Sequence, residues 1–128
     1  MTKSLFVLLL GLCLWAPAPA RGATLYTGPI PGPVGYQVGC EAVNVSGTNL
    51  TITSAILDCD DGTTEFSYTC NSTPSLPGCS ATFIVPSTSS GCHYCKFTTS
   101  TSSKTTIRAN GKSYNPSNGA FSGIANAD

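Results

Sequence analysis

Hydrophobic and polar residues alternate along most of the chain from residue 36 onward. Four runs have this period of two, and their same-face residues are Tyr36, Val38, Cys40 and Ala42; Leu50, Ile52 and Ile56; Phe66 and Tyr68; and Ala81, Phe83 and Val85. Such alternation, with many β-branched and aromatic residues, is typical of strands that bury one face. No stretch there has the three- and four-residue apolar spacing of an amphipathic helix. The pattern predicts an all-β domain.

Turn-forming segments separate these runs. They lie at residues 46–48, 60–62, 74–78, 87–91 and 110–111. Asp-Gly and Asn-Gly pairs supply the positive φ angles of tight hairpins, so we expect Asn110-Gly111 to be a turn. About seven short strands at this spacing predict a single antiparallel β-sandwich, and we expect an immunoglobulin-like one.

The first twenty residues have the features of a secretory signal peptide. Lys3 is followed by an apolar stretch at residues 5–15 and by the small-x-small sequence Ala18-Pro19-Ala20. The apolar stretch is too short to span a membrane, which takes about 20 residues. Lipid attachment at Cys13 is an alternative, but Leu12 stands where a small residue is normal. We expect residues 1–20 to be removed, residues 21–35 to form a Pro/Gly-rich arm with one short edge strand at Leu25-Tyr26, and residues 36–128 to form the sandwich.

The charge of the chain after residue 20 is almost balanced. Five basic residues (Arg21, Lys96, Lys104, Arg108 and Lys112) and six acidic ones (Glu41, Asp58, Asp60, Asp61, Glu65 and Asp128) give a net charge of −1. No field of one sign exists to attract nucleic acid or an anionic membrane. We therefore expect no nucleic-acid partner, and no stable membrane span once the signal is cleaved.

Six cysteines follow the expected signal peptide. They are Cys40, Cys59, Cys70, Cys79, Cys92 and Cys95. An even number of cysteines in a small exported chain predicts a disulfide framework, because an oxidising compartment lets thiols pair. The predicted location is therefore secreted, periplasmic or at the cell surface.

Two motifs are similar to those of a group of small exported bacterial proteins. They are "CEAVNVSGTNLTITSAILDCDDGT", which starts at Cys40, and "YCKFTTSTSSKTTIRAN", which starts at Tyr94. The resemblance covers about residues 36–109 and implies a β-sandwich fold, but the group has no assigned activity. The chain departs from the group's pattern at Cys59 and in its last fourteen residues.

Six cysteines allow fifteen pairings, and the sequence favours one of them. Cys40 and Cys95 lie in strongly alternating strands that could be bridged across the core, and the resemblance also implies this pair. Cys70 with Cys79 would close the Pro-rich loop between them, which leaves Cys59 with Cys92.

The motif Cys92-His93-Tyr94-Cys95 has other possible chemistries. Covalent haem attachment needs a histidine directly after the second cysteine, where this chain has Lys96. A redox pair needs a helix after the first cysteine, and structural zinc needs a second closely spaced ligand pair. Residues three apart in a strand point to opposite faces, so each cysteine is better placed to bond a different strand. We therefore expect no cofactor here.

Two further features have a catalytic or metal-binding interpretation. Asp58, Asp60 and Asp61 offer carboxylates for calcium, with Glu65 as a further ligand, although the spacing does not fit an EF-hand and a solvated turn is the simpler interpretation. His93 is the only candidate base for hydrolysis after residue 20, and no nucleophile-elbow motif accompanies it. We expect no enzymatic activity; a small secreted hydrolase is the last alternative.

The remaining candidates are binding surfaces. Residues 98–106, "TTSTSSKTT", are typical of a solvent-facing hairpin strand and loop, and otherwise of a sticky strand or a hydroxylated binding face. We predict a non-catalytic exported protein with a binding or structural role and a protein or glycan partner. The alternative is a pilin-like or adhesin-like assembly subunit that self-associates when the arm of residues 21–35 donates a strand to a neighbour.

Overall fold

The computed structural model describes residues 21–128, and these form two β-sheets packed face to face. The strands in chain order are β1 (Thr24–Tyr26), β2 (Ile30–Pro31), β3 (Gln37–Asn44), β4 (Leu50–Asp58), β5 (Thr64–Ser72), β6 (Gly78–Ile84), β7 (Cys92–Thr99), β8 (Ile107–Tyr114) and β9 (Phe121–Asn126). The predicted all-β sandwich is confirmed, but it has nine strands where about seven were expected. The predicted signal peptide at residues 1–20 lies outside the described residues.

The two sheets are antiparallel throughout. The five-stranded sheet has the order β1-β7-β4-β5, with β2 also paired to β7, and the four-stranded sheet has the order β6-β3-β8-β9. A short 3-10 turn at Lys104–Thr106 lies between β7 and β8. No helix in residues 21–128 is long and apolar enough to cross a membrane.

The Pro/Gly-rich segment 21–35 belongs to the five-stranded sheet. Strands β1 and β2 both pair with β7, and they place Leu25 and Ile30 in the core. Between them, Thr27 continues the pairing: the Cys95 amide donates to Thr27 Oγ1 at 2.9 Å, and the Thr27 amide donates to the Cys95 carbonyl at 3.0 Å. The short edge strand expected at Leu25-Tyr26 corresponds to β1, whereas β2 was not predicted.

A disulfide joins the two sheets through the middle of the core. Cys40 of β3 is bonded to Cys95 of β7, and both residues are fully buried. Each lies on an interior strand of its sheet, with neighbouring strands on both sides. The apolar side chains packed around the bridge include Ile52, Ile56, Val38, Phe97 and Ile107. The bridge therefore holds β3 and β7 facing each other across the sandwich.

Two further disulfides join strands away from the centre of the core. Cys59, just after β4, is bonded to Cys92 at the start of β7, and Cys70 of β5 is bonded to Cys79 of β6. The first holds two neighbouring strands of one sheet together at their end. The second joins an edge strand of each sheet. The three bonds are the pairs that the sequence favoured.

The strand order shares part of the immunoglobulin pattern and departs from it at β8. The neighbours β4-β7 and β3-β6, with a disulfide from β3 to β7 between the sheets, correspond to the immunoglobulin pairs C-F and B-E and the B–F bridge. Strand β8, however, pairs with β3 in the four-stranded sheet, and β1 and β2 take the place beside β7. Residues 100–106 therefore cross between sheets, so the expectation of a hairpin there is wrong.

The expected turn at Asn110-Gly111 is also wrong, since both residues lie inside β8 and pair with β3 and β9. The glycine is needed for packing and not for a turn. A Cβ at Gly111 would lie 2.7 Å from Cys95 Sγ and would overlap Ile30 Cδ1. The absence of a side chain here lets β2 and the central disulfide pack against β8.

The two lateral sides of the sandwich differ. On one side, Thr27 and Ala127 form a bridge, and Tyr26 and Asp128 exchange two backbone hydrogen bonds of 3.3 and 3.1 Å. This pairing links the edge beside β1 to the C-terminal residues. On the other side, β5 and β6 are the last strands of their sheets. Phe66 and Tyr68 of β5 lie on its inner face but stay 41% and 51% exposed, so the burial expected there is incomplete.

We predict that the disulfides differ in their contribution to stability. Cys40–Cys95 spans 55 residues and Cys70–Cys79 spans 9. On the chain-entropy model, their loss lowers the free energy of unfolding by about 4 and about 2.5 kcal/mol. Replacing both Cys40 and Cys95 by Ala also removes core packing, so that variant should unfold or fail to accumulate, whereas the Cys70/Cys79 double variant should stay folded. Urea denaturation measures both, and equal small losses would contradict the prediction.

A second prediction concerns the glycine beside the disulfide. Gly111→Ala should lower the free energy of unfolding by about 1–3 kcal/mol, because the new methyl group overpacks the core. Gly39→Ala is the matched control: it lies in the neighbouring strand β3, and its Cβ would meet only ordinary contacts at 3.7 Å. Thermal denaturation of both variants checks this. A midpoint of thermal unfolding for Gly111→Ala as high as that of Gly39→Ala would contradict the prediction.

Candidate functional site

The Cys92–Cys95 motif forms the first half of β7. His93 and Cys95 point into the core, while Cys92 and Tyr94 are partly exposed on the other face. Each cysteine forms a disulfide to a different part of the chain, Cys92 to Cys59 and Cys95 to Cys40. The two sulfur atoms are therefore bonded away from each other, as the three-residue spacing predicted.

His93 is fully buried at one end of the core. Its Nε2 atom lies 3.1 Å from Ser89 Oγ, and its ring lies 5.7 Å from that of Phe83 between centroids. Nδ1 has no hydrogen-bond partner within the described residues and faces Gly32, where a Cβ would come within 3.2 Å of it. The only histidine of the chain is thus enclosed by the β2 segment and the loop before β7.

Asp58 lies opposite His93 in the strand register. Its carboxylate accepts hydrogen bonds from the Asp60 amide at 2.7 Å and from Ser90 Oγ at 2.9 Å. These two donors hold the pKa of Asp58 below its ordinary value of 3.8. The carboxylate is therefore used to brace two adjacent turns. A catalytic triad requires it to orient the histidine ring, and here it does not bond to His93.

Burial controls the ionisation of His93. The cost of removing a charged imidazolium from water lowers the pKa of His93 below its ordinary value of 6.5. The carboxylates of Asp58 and Glu65 oppose this shift without cancelling it. The ring is neutral at pH 7 and is closed to solvent.

The acidic turn after β4 is held by hydrogen bonds between its own residues. Gly62 has a φ of +71°, and its amide donates to the Asp58 carbonyl at 3.0 Å. Asp61 Oδ1 accepts the Thr63 amide at 2.8 Å. Asp60 and Asp61 are exposed, and among residues 21–128 no three His, Cys, Asp or Glu side chains are grouped to hold a metal ion.

An open groove of ≈ 590 Å³ lies between the 3-10 turn and the C-terminal residues. Its charged lining has both signs, with Lys104 and Arg108 alongside Glu41 and Asp128. Glu41 also forms an ion pair of 2.6 Å with Lys112. Because its lining includes two basic and two acidic side chains, the groove has no strong preference for one charge.

On the outward face of the five-stranded sheet, side chains at paired positions of four neighbouring strands form two rows, which we call ranks. The first rank is Thr24, Thr98, Thr53 and Thr69, and the second is Tyr26, Lys96, Ala55 and Ser67, each in the order β1, β7, β4, β5. We call these eight residues and Tyr94 the hydroxyl face. Thr53 Oγ1 and Thr69 Oγ1 lie 2.8 Å apart, so hydroxyls of neighbouring strands are hydrogen-bonded.

Sequence reasoning located only a small part of the hydroxyl face. The Thr-rich tract 98–106 contributes Thr98, because the chain then leaves β7 and crosses to the other sheet. Thr24, Thr53 and Thr69 come from three other strands, and only the register brings them into one rank. Alternation indicated that Thr53 and Thr69 point outward, but Thr24 lies in the expected arm, and the alignment of strands distant in sequence was not readable.

No family model, curated protein or solved structure matches this chain. The resemblance to small exported bacterial proteins therefore stays a prediction. Evidence for function comes from the residues of the chain and their geometry.

The buried histidine predicts a specific pH dependence of stability. The pKa of His93 is lower in the folded than in the unfolded chain, so the unfolded chain binds more protons below about pH 6.5. The free energy of unfolding should therefore fall as the pH decreases below about 6.5, and His93→Gln should flatten this slope. The contribution of Asp58 is separate, since it is lost only as the pH falls below 3.8 through the lowered pKa of that carboxyl.

Urea denaturation at a series of pH values measures the slope for both proteins. No other imidazole contributes, because His93 is the only histidine in the sequence. An unchanged slope in His93→Gln would show that the ring already titrates normally in the folded protein.

Proposed function

We propose that this chain is an exported, non-catalytic β-sandwich of immunoglobulin-like design with a binding role outside the cytoplasm. Three intramolecular disulfides support the location, since such bonds are typical of proteins in oxidising extracellular compartments. The disulfides also stabilise the fold, because a domain of this size has a small core and gains stability from cross-links. Secretion, the periplasm and the cell surface all fit this chemistry.

The observation that carries the proposal is the structural use of the chain's reactive side chains. A hydrolase of this size would need an accessible base with an orienting partner. His93 is buried and neutral, Asp58 is bonded to the Asp60 amide and Ser90, and the six described cysteines are all in disulfides. What remains at the surface is hydroxyl-rich, and such groups suit recognition better than catalysis.

A second candidate, self-assembly, is favoured by the β5 edge. Strand β5 is nine residues long, pairs only with β4 in its sheet, and has Phe66 and Tyr68 exposed. An exposed edge of this kind can pair with another chain. Donation of the 21–35 segment to a neighbour fits less well, because β1 and β2 already pair with β7 of the same molecule and bury Leu25 and Ile30.

The proposal predicts an exported protein without turnover. When the full chain is produced with its own first twenty residues, the folded protein should be recovered outside the cytoplasm, and non-reducing mass spectrometry should show six hydrogens fewer than in the reduced form. Assays with ester, peptide and glycoside substrates should give no more turnover with the wild type than with His93→Gln. Turnover that is lost in His93→Gln but kept in a surface control, Lys104→Gln, would overturn the non-catalytic proposal.

A further inference from the structure

The hydroxyl face has a regular spacing that follows from the sheet itself. Its four threonines lie at paired positions of β1, β7, β4 and β5. Neighbouring strands are about 4.8 Å apart, so the threonine positions repeat across the sheet at about that interval, and the hydroxyls of Thr53 and Thr69 turn toward each other at 2.8 Å. A polymer with hydroxyl groups along its length can form repeated hydrogen bonds with such a rank.

A shallow depression of ≈ 230 Å³ lies in the middle of this face. Its lining residues are Thr53, Ala55, Thr64, Ser67, Lys96 and Thr98. Ala55 stands between Lys96 and Ser67 in the second rank, and its short side chain leaves the space that a larger residue would fill. The depression is therefore ringed by hydroxyl groups and one ammonium group.

Lys96 forms no ion pair within residues 21–128. The ion pair in that part of the chain joins Lys112 to Glu41. Its neighbour across the strands is Tyr26 of β1, which is 48% exposed. The Tyr26 ring lies 6.3 Å from the Tyr94 ring between centroids, with 43° between their planes. A cation that lines the depression and a pair of aromatic rings thus lie side by side on the hydroxyl face.

We propose that the hydroxyl face binds a glycan whose sugars carry carboxylates. Sugar hydroxyls form hydrogen bonds with the threonine rank, and the apolar face of a sugar ring packs against Tyr26 and Tyr94. A sugar carboxylate forms an ion pair with Lys96, which has no acidic partner of its own among the described residues. A protein partner fits less well: tyrosines are enriched at protein interfaces, but Lys, Ser and Ala, which line the depression, are depleted there. This inference rests on the proposed binding role and names its ligand class.

NMR titration of the ¹⁵N-labelled full-length mature protein tests the proposal. The probes are oligogalacturonate, a hyaluronan oligosaccharide and the methyl ester of the same oligogalacturonate, which keeps the chain and masks its carboxylates. Both acidic probes should shift the amides of Tyr26, Ala55 and Lys96, and the ester should bind about tenfold more weakly. Added salt should weaken the acidic complexes.

Two variants test the residues. Lys96→Gln should weaken the binding of the acidic probes by about tenfold, and Ala55→Leu should weaken it by filling the depression. Lys104→Gln, which removes a positive charge from the 3-10 turn, is the control and should bind as the wild type does. Thermal denaturation confirms that each variant is folded.

The outcomes separate this inference from the proposed function. Absence of shifts with all three probes, or shifts confined to the groove beside Lys104, would overturn the glycan site and leave the export and disulfide results standing. Equal affinity for acid and ester would overturn the role of Lys96. Shortening of the bound glycan during incubation would instead overturn the non-catalytic proposal while leaving the binding site intact.

Discussion

The bond between Cys40 and Cys95 is the constraint around which the sandwich is arranged. It fixes the distance between the interior strands β3 and β7, and the largest buried side chains pack around it. Close approach of β8 and β2 to this bond requires a residue without a side chain, and Gly111 fills that position. A chain with few charged residues and a small core can hold two sheets together because this covalent link lies inside the buried core.

The two lateral sides of the sandwich differ because both terminal segments of the described chain pack on the same side. The segment before β3 returns to the five-stranded sheet and meets residues 127 and 128, which links that edge to the other sheet. The opposite edges remain unpaired and are tied by Cys70–Cys79. The buried histidine and the bonded Asp58 complete one end of the core, so the reactive groups of the chain serve the fold. The proposed binding role therefore falls to the outward faces.

Part of this architecture was readable in the sequence. The four alternating runs located β3, β4, β5 and β6, and the positions of Cys40 and Cys95 in strongly alternating strands indicated the central disulfide. The segment 21–35 was harder, since its prolines and glycines mask the burial of Leu25 and Ile30. Asn110-Gly111 predicted a turn because the pair has turn chemistry, whereas the actual reason for the glycine is contact with residues far away in sequence. The hydroxyl face depends on the register of four strands, which local patterns do not encode.

Native-state hydrogen exchange tests most directly whether the cross-sheet bond and the strands around it form the core of the molecule. The slowest amides should lie in β3, β4, β7 and β8, and the Thr27 amide, which bonds to the Cys95 carbonyl, should be protected almost as strongly. Protection should be weakest in β5, of which most residues are exposed. If the amides of residues 24–31 exchanged as fast as those of the loops, with β5 protected instead, the central role of the Cys40–Cys95 region would be contradicted.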